Sequence, residues 1–179
     1  LFDLYNNIGA IAPKFIDSIK KSSDGFISLT PIRFKQFFPS SGVHEVMQVI
    51  ASGKIINSKY LNKIGLMNES LFIDWVDLEW CWRAKAHGYK IIGNADVVIK
   101  HQLGDSSKNI GFREVNLRSP IRHYYITRNA FHLALRDKSL DRFHKITLFF
   151  KSFRYIIGYP ILSKPHLTHL KYVLLGFWH

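Results

Sequence analysis

Four carboxylates, Glu69, Asp74, Asp77 and Glu79, crowd into the stretch MNESLFIDWVDLEWCWRAKAHG from Met67 to Gly88, which also holds three of the four tryptophans. An acid among large apolar side chains is expensive to ionise unless it opens onto a polar hollow, and an acid so placed can take a proton from an attacking hydroxyl. Asp77 is therefore a candidate general base. The same residue has a purely structural use, because a carboxylate in the first turn of a helix satisfies unpaired backbone N–H groups and the positive end of the helix dipole. Local chemistry leaves both readings open. His101, followed by Gln102, Leu103 and Gly104, is a second candidate. A neutral imidazole ligates a divalent cation, a protonated one binds phosphate oxygens, and a His at a strand end also serves as a surface or packing residue. Arg118, Arg122, Tyr124, Tyr125, Arg128 and Asn129 form a third group. Guanidinium forks match phosphate oxygens, although a solvated basic helix face has the same composition.

The elements that must carry these groups follow from periodicity and punctuation. A helix is expected from about Trp75 to His87, apolar almost all round and hence buried, with Trp75, Leu78 and Trp82 on one side and Val76, Trp80, Cys81 and Ala84 on another. Asp74 and Asp77 suit its start, Lys85, His87 and a left-handed Gly88 suit its end, and Glu79 stands at ion-pair spacing from Arg83. Ahead of it, Ile8 to Pro13 reads as a buried strand, residues 14 to 43 as a variable loop or hairpin around Phe26 to Leu29 and Ile32 to Phe38, and Val43 to Ile50 as a strand. Ala51-Ser52-Gly53-Lys54 is turn chemistry, and Asn57 or Ser58 caps a short helix that stops at Gly65. Beyond the central helix, Tyr89 to Ile92 and Val97 to Lys100 read as two strands about a Gly93-Asn94 turn, delivering His101. The polar run from Ser106 to Val115 is either a lid or a plain surface loop. Ser119-Pro120 opens a helix to about Asp137. From Leu140 to Ile157, Phe143, Ile146, Phe150, Phe153 and Ile157 recur at helical spacing among Arg142, Lys145, Lys151 and Arg154. Pro160 and Pro165 interrupt that pattern before a second piece, His166 to Trp178.

At 179 residues, 47% hydrophobic and 15% aromatic, the chain has the length and composition of a packed protein rather than a disordered one. Its one cysteine, Cys81, excludes an internal disulfide and a thiolate zinc site. The net charge of +12 is uneven: residues 1 to 100 hold 12 basic and 9 acidic side chains, residues 101 to 179 hold 13 and 4. The second part seeks an anionic partner. Basic amphipathic helices rich in Phe lie in an anionic membrane interface, and the competing use is a core helix packed on a further part of the protein. Basic and aromatic residues also alternate in single-strand binders, but no nucleic-acid motif is present, so no nucleic acid is expected as partner. No signal peptide is visible at the start, and no apolar run reaches the roughly 18 residues a membrane-spanning helix needs. The chain begins with Leu1 in what reads as the tail of a helix, which leads us to expect a fragment.

The segment from Gly65 through Leu71, Phe72, Ile73, Asp74, Trp75, Val76, Asp77, Leu78, Glu79, Trp80, Cys81, Trp82 and Arg83 resembles the rhamnosyltransferase-like branch of the family 2 inverting glycosyltransferases. Val76 stands where many members have Glu. The resemblance implies an α/β chain, the C-terminal part of a GT-A, nucleotide-diphospho-sugar transferase fold over residues 1 to 137, followed by a basic helical tail over 138 to 179. The nucleotide-binding half, with its metal-binding Asp-x-Asp, then lies before Leu1. It implies Asp77 as catalytic base, and Ser52, Gly53, Asp74, Trp75, Glu79 and Trp80 on the acceptor side. It also implies Arg122 and Arg128 at the donor diphosphate, and His101 near the diphosphate or its divalent cation, Mg2+ or Mn2+, held mainly by residues outside this chain. The activity implied is transfer of a sugar, most often rhamnose from dTDP-rhamnose, to a lipid-linked saccharide in bacterial surface polysaccharide synthesis. That work is done at the inner face of the plasma membrane, and a lone fragment of this kind is expected to be inactive. The alternative, from a different class, is a non-catalytic membrane-associated binding or scaffolding module.

Overall fold

The computed structural model describes residues 2, 6–17, 25–30, 34–101, 106–109 and 114–179, the side chains of 29 and 101–117 excepted. Ten residues with buried alanines and isoleucine at one end, Ile8–Asp17, form β1. The Phe-rich pieces expected in the following stretch are β2 (Phe26–Leu29) and β3 (Phe34–Phe37), an antiparallel hairpin. β4 (Val43–Val46) is shorter than its sequence pattern, because Gln48 leaves the strand to bridge Ile27. A two-residue β5 (Ile55–Ile56), which the sequence did not announce, pairs antiparallel with β1. Asn57 Oδ1 accepts from Lys59 N–H at 3.1 Å and starts a 3-10 turn that runs into the one-turn helix α1 (Leu61–Ile64), ended by Gly65. α2 (Val76–Ala86) is the expected Trp-rich helix, closed by Gly88 at a φ of 81°.

The expected pair of strands about Gly93-Asn94 is instead one strand, β6 (Lys90–His101), parallel to β1 throughout. The turn signal is real but local. Asn94 Oδ1 accepts from Asp96 N–H at 3.0 Å, and Ala95 to Val97 have no partner on β1, since Pro13 pairs with Asn94 and Lys14 with Val98. With β1 on one side and β4 antiparallel on the other, that kink becomes a bulge and the chain keeps its direction. Gly93 is needed for a different reason, since any Cβ there would collide with the buried Phe26 ring. The sheet is thus mixed, in the order β4-β6-β1-β5. Ala10, Ala12, Phe26, Val46, Ile64, Trp80, Cys81, Ala84 and Ile91 are buried together in its core.

The polar run after His101 holds a second hairpin, β7 (Ser106–Asn109) and β8 (Glu114–Leu117). α3 (Pro120–Arg136) starts at Ser119-Pro120 and is capped at Asp137, as the sequence implied. α4 (Arg142–Leu162) runs through Pro160 rather than stopping there. Proline this close to a helix end forfeits a single backbone bond, and the Pro160 carbonyl meets His166 Nδ1 at 2.6 Å. α5 spans His166–Trp178. Among the described residues the chain is therefore α/β, with five α-helices, α1 included, and a mixed four-stranded sheet.

Two compact units result. The first comprises Leu1–Asn68, Val76–Gln102 and Lys138–Phe143; the second comprises Glu69–Trp75, Leu103–Asp137 and His144–His179. In the second, α3 and α5 pack closely: the His123 and His169 Nδ1 atoms are 2.8 Å apart, His123 stacks on Tyr159, and Phe131 gathers Phe149, Phe153 and Phe177 around it.

Candidate functional site

In the first unit, α2 is anchored by its indoles. Trp80 Nε1–H donates to the Gly65 carbonyl at 2.9 Å, Trp82 Nε1–H to Gln48 Oε1 at 2.6 Å, and the Trp82 ring stacks on Phe34. Burying two such side chains contributes on the order of 2–3 kcal/mol each. Glu79 is buried and receives two N–H bonds from Arg83, 2.8 and 3.1 Å, while Arg83 also donates to the carbonyls of Ile64 and Leu66. Glu79 and Trp80 thus belong to the scaffold of α2 and present no surface to a ligand.

On this frame Asp77 is half-buried. Its Oδ2 accepts from Ala51 N–H at 2.8 Å and its Oδ1 from Leu78 N–H at 3.1 Å, with no cation at ion-pair distance among the described residues. The Ala51 bond ties it to the turn that holds Ser52 and Gly53. That turn is closed by Lys54 N–H to Ala51 O at 3.1 Å, and Gly53 takes a φ of 68° against Pro13 and Ile99, where a side chain has neither room nor a favourable backbone. Lys54 Nζ lies 3.4 Å from the Asp77 carbonyl and 5.4 Å from the Trp80 ring centre. A carboxylate has roughly four lone-pair sites, so one that accepts two amide bonds keeps capacity for an incoming hydroxyl. Capping and proton acceptance are therefore compatible in this residue.

Cys81, one turn further, is buried with its thiol 3.7 Å from the Val49 carbonyl, and burial pushes its pKa up to about 11. It carries no reactivity at neutral pH.

In the second unit lies the lead-in to α2. Phe72, Asp74 and Trp75 have φ values of 59°, 59° and 68°, a conformation bulky residues rarely hold without outside support. α3 supplies it. Buried Asn129 places Nδ2 within 2.8, 2.8 and 3.1 Å of the carbonyls of Leu71, Ile73 and Asp74. Arg122 grips Asp74 through Nη2 at 2.6 Å and Nε at 3.1 Å, and Trp75 Nε1–H donates to Ile126 O at 3.1 Å. Lys151 lies over the Trp75 ring, and Phe72 packs on Tyr125. Sequence reasoning named Asp74, Trp75 and Arg122 but not this mutual arrangement, and it gave Asn129 no role of its own. The Arg-Asn pair in α3 was the available signal, without a partner to point to.

Arg128 donates to Asn129 Oδ1 and to the Ser70 carbonyl and lies over Tyr124 and Tyr125. The His101 backbone ends β6 opposite Asp17, and its side chain lies outside the described residues. Among the described residues no group of three or more His, Cys, Asp or Glu is placed to hold a metal ion. Those residues do not by themselves fit the divalent cation implied by the resemblance.

No protein-family model matches the chain. It is 39% identical over 88 residues to the dTDP-rhamnosyl transferase RfbF of Shigella flexneri, a stretch equal to 49% of this chain. The match covers 30% of that relative's length, well short of the whole enzyme. Through that stretch the chain is related to a glycosyltransferase.

Proposed function

We propose that this chain is the acceptor-side part of a family 2, GT-A, inverting glycosyltransferase that moves rhamnose from dTDP-rhamnose to a lipid-linked saccharide. What carries the reading is the likeness to a dTDP-rhamnosyl transferase. The setting of Asp77, half-buried, without a cation partner among the described residues and bonded to the Ala51 amide, supports its part as the base. Asp77 takes the proton of the acceptor hydroxyl as the new bond forms, the sugar passes through a state with oxocarbenium character, and the nucleoside diphosphate leaves from the opposite face. Ser52 and Gly53 flank the acceptor. Asp74 and Trp75 keep the acceptor-side part that the resemblance implies, and Glu79 and Trp80 act only by holding α2. Arg122 is committed to Asp74, which leaves Arg128 the better placed of the two to meet phosphate. His101 keeps its expected part at the diphosphate.

The test uses a polypeptide carrying this chain behind a nucleotide-binding half, assayed for transfer of labelled rhamnose. Asp77→Asn is expected to lower turnover by about 10²–10⁴-fold while the protein stays folded. Normal transfer by the folded variant removes Asp77 as base.

A second reading, the membrane-associated module, is supported by a separate observation. Ile146, Phe150, Ile157 and Ile161 form an exposed stripe on α4, and Leu167, Leu174 and Trp178 are exposed on α5. Residues 142 to 179 hold six Lys and Arg and no acid. No helix among the described residues is long and apolar enough to cross a membrane, so contact of this kind is interfacial. Phe150→Glu with Ile157→Glu is expected to abolish co-sedimentation with anionic vesicles and leave the fold intact. Unchanged sedimentation removes the membrane surface as partner.

A further inference from the structure

Between α3 and α5 the second unit buries two histidines against each other. His123 is fully buried, His169 is nearly so, and their Nδ1 atoms lie 2.8 Å apart. At that distance one ring donates its Nδ1–H and the other accepts with a bare Nδ1. The bond therefore exists only while at least one of the two Nδ1 atoms carries no proton. The groups around the pair do not favour a second proton. α4 contributes Tyr159, whose ring stacks on His123 at 3.7 Å, with Tyr155 stacked behind it. α3, α4 and α5 contain no Asp or Glu, so none of these helices can set a carboxylate against a charged ring. Burial, opposed by the Lys164 carbonyl and reinforced by the charge of His166, holds the His169 pKa below its ordinary value. The interface is also tight and incompletely satisfied. Gly176 on α5 leaves no room for a Cβ against the Tyr124 carbonyl, and Val173 is fully buried. Thr127, one turn beyond His123, and Ser163, one turn beyond Tyr159, are buried with hydroxyls that meet no partner among the described residues. Both gain water when the helices part.

We propose that the His123–His169 pair is an acid-operated latch, which holds α5 on α3 at neutral pH and releases it when both Nδ1 atoms are protonated. Undocked, each ring binds a proton near the ordinary 6.5; docked, at least one of those protons is withheld. Docking is therefore strongest above about pH 6.5 and weakens as pH falls through that value toward the folded pKa. Each withheld proton weakens it by about tenfold per pH unit. Release uncovers Val173 and the side of Phe131 that Phe177 covers, so a buried apolar seam becomes an exposed one. The latch concerns the second unit alone and does not rest on the proposed function.

The experiment places spin labels at two exposed positions, Leu135→Cys on α3 and Leu174→Cys on α5, and reads their separation by pulsed electron resonance near pH 7.5 and near pH 5. Cys81, buried with its thiol pushed up to about 11, takes no label. The labelled chain with both histidines is compared with His169→Asn, whose side-chain amide turns over to accept from a protonated His123 and so keeps the bond in acid. A second comparison is His132→Gln, which removes the other histidine of lowered pKa and leaves the pair intact. One short separation is expected near pH 7.5. Near pH 5 a longer one is expected to appear in the parent and in His132→Gln, and to be about tenfold less populated in His169→Asn. An unchanged separation in the parent near pH 5 overturns the proposal. So does a long separation equally populated in His169→Asn, or one that His132→Gln abolishes. Where His169→Asn fails to fold, the ring nitrogen resonances of the parent decide. One Nδ1 protonated and one bare near pH 7.5, with the second proton arriving as the long separation appears, sustains the latch; arrival of the second proton with no change in separation overturns it.

Discussion

Asn129 holds three backbone carbonyls of a segment some fifty-five residues earlier, and it does so from full burial. Asn129→Ala leaves those carbonyls without their donor, a loss of about 1–3 kcal/mol that urea unfolding monitored by circular dichroism will report. A change below about 0.5 kcal/mol means the lead-in to α2 is held by other contacts. Cys81 gives a second residue-scale expectation. With its thiol pushed up to about 11, the thiolate near pH 8 is roughly one part in a thousand. A thiol reagent at that pH is expected to modify the folded chain at the rate of global unfolding, and prompt modification contradicts the burial. At this scale the sequence nominated residues able to carry chemistry, because residue type and neighbours suffice to single out Asp77, His101 and the arginines. It did not disclose that Arg122 is spoken for by Asp74, because a pair separated by 48 residues leaves no local trace.

Elements with strong end signals were legible: Ser119-Pro120 for α3, Gly88 for the end of α2, His166 to Trp178 for α5. Gly93-Asn94 and Pro160 misled for one physical reason. Each is a local break whose effect on chain direction depends on neighbours, and here β1 with β4 absorb one while the helix end tolerates the other. β5 was invisible because two residues carry no periodicity. The close approach of α5 to α3 was hidden too, since it depends on Gly176, where a Cβ would collide with the Tyr124 carbonyl on the facing helix. Gly176→Ala is expected to lower stability by about 1–3 kcal/mol despite the higher helix propensity of alanine, read as a fall in thermal midpoint. A raised midpoint means the two helices do not meet there.

Across the molecule, acid sensitivity is expected to be uneven. His132 and His169 both have pKa values below the ordinary 6.5, burial being the first cause for each, and both belong to the second unit. A histidine whose folded pKa lies under its unfolded one binds protons preferentially when unfolded, so its stability contribution is intact above about pH 6.5 and is lost as pH falls through that value toward the folded pKa. Hydrogen exchange compared near pH 7.5 and near pH 5 is expected to show α3 and α5 amides losing protection first, with β1 and β6 lagging. Equal loss in both units contradicts this. The division into units was itself illegible, because the second unit takes its lead-in from before α2 and the rest from after β6.

The left-handed trio at Phe72, Asp74 and Trp75 settles only when its grip is present, and that grip is made of residues 122 to 129. A ribosome working at roughly 5–20 residues per second emits those side chains several seconds after the trio itself. During that interval the nascent polypeptide displays its Trp-rich stretch without the clamp, which makes these seconds the natural window for a chaperone.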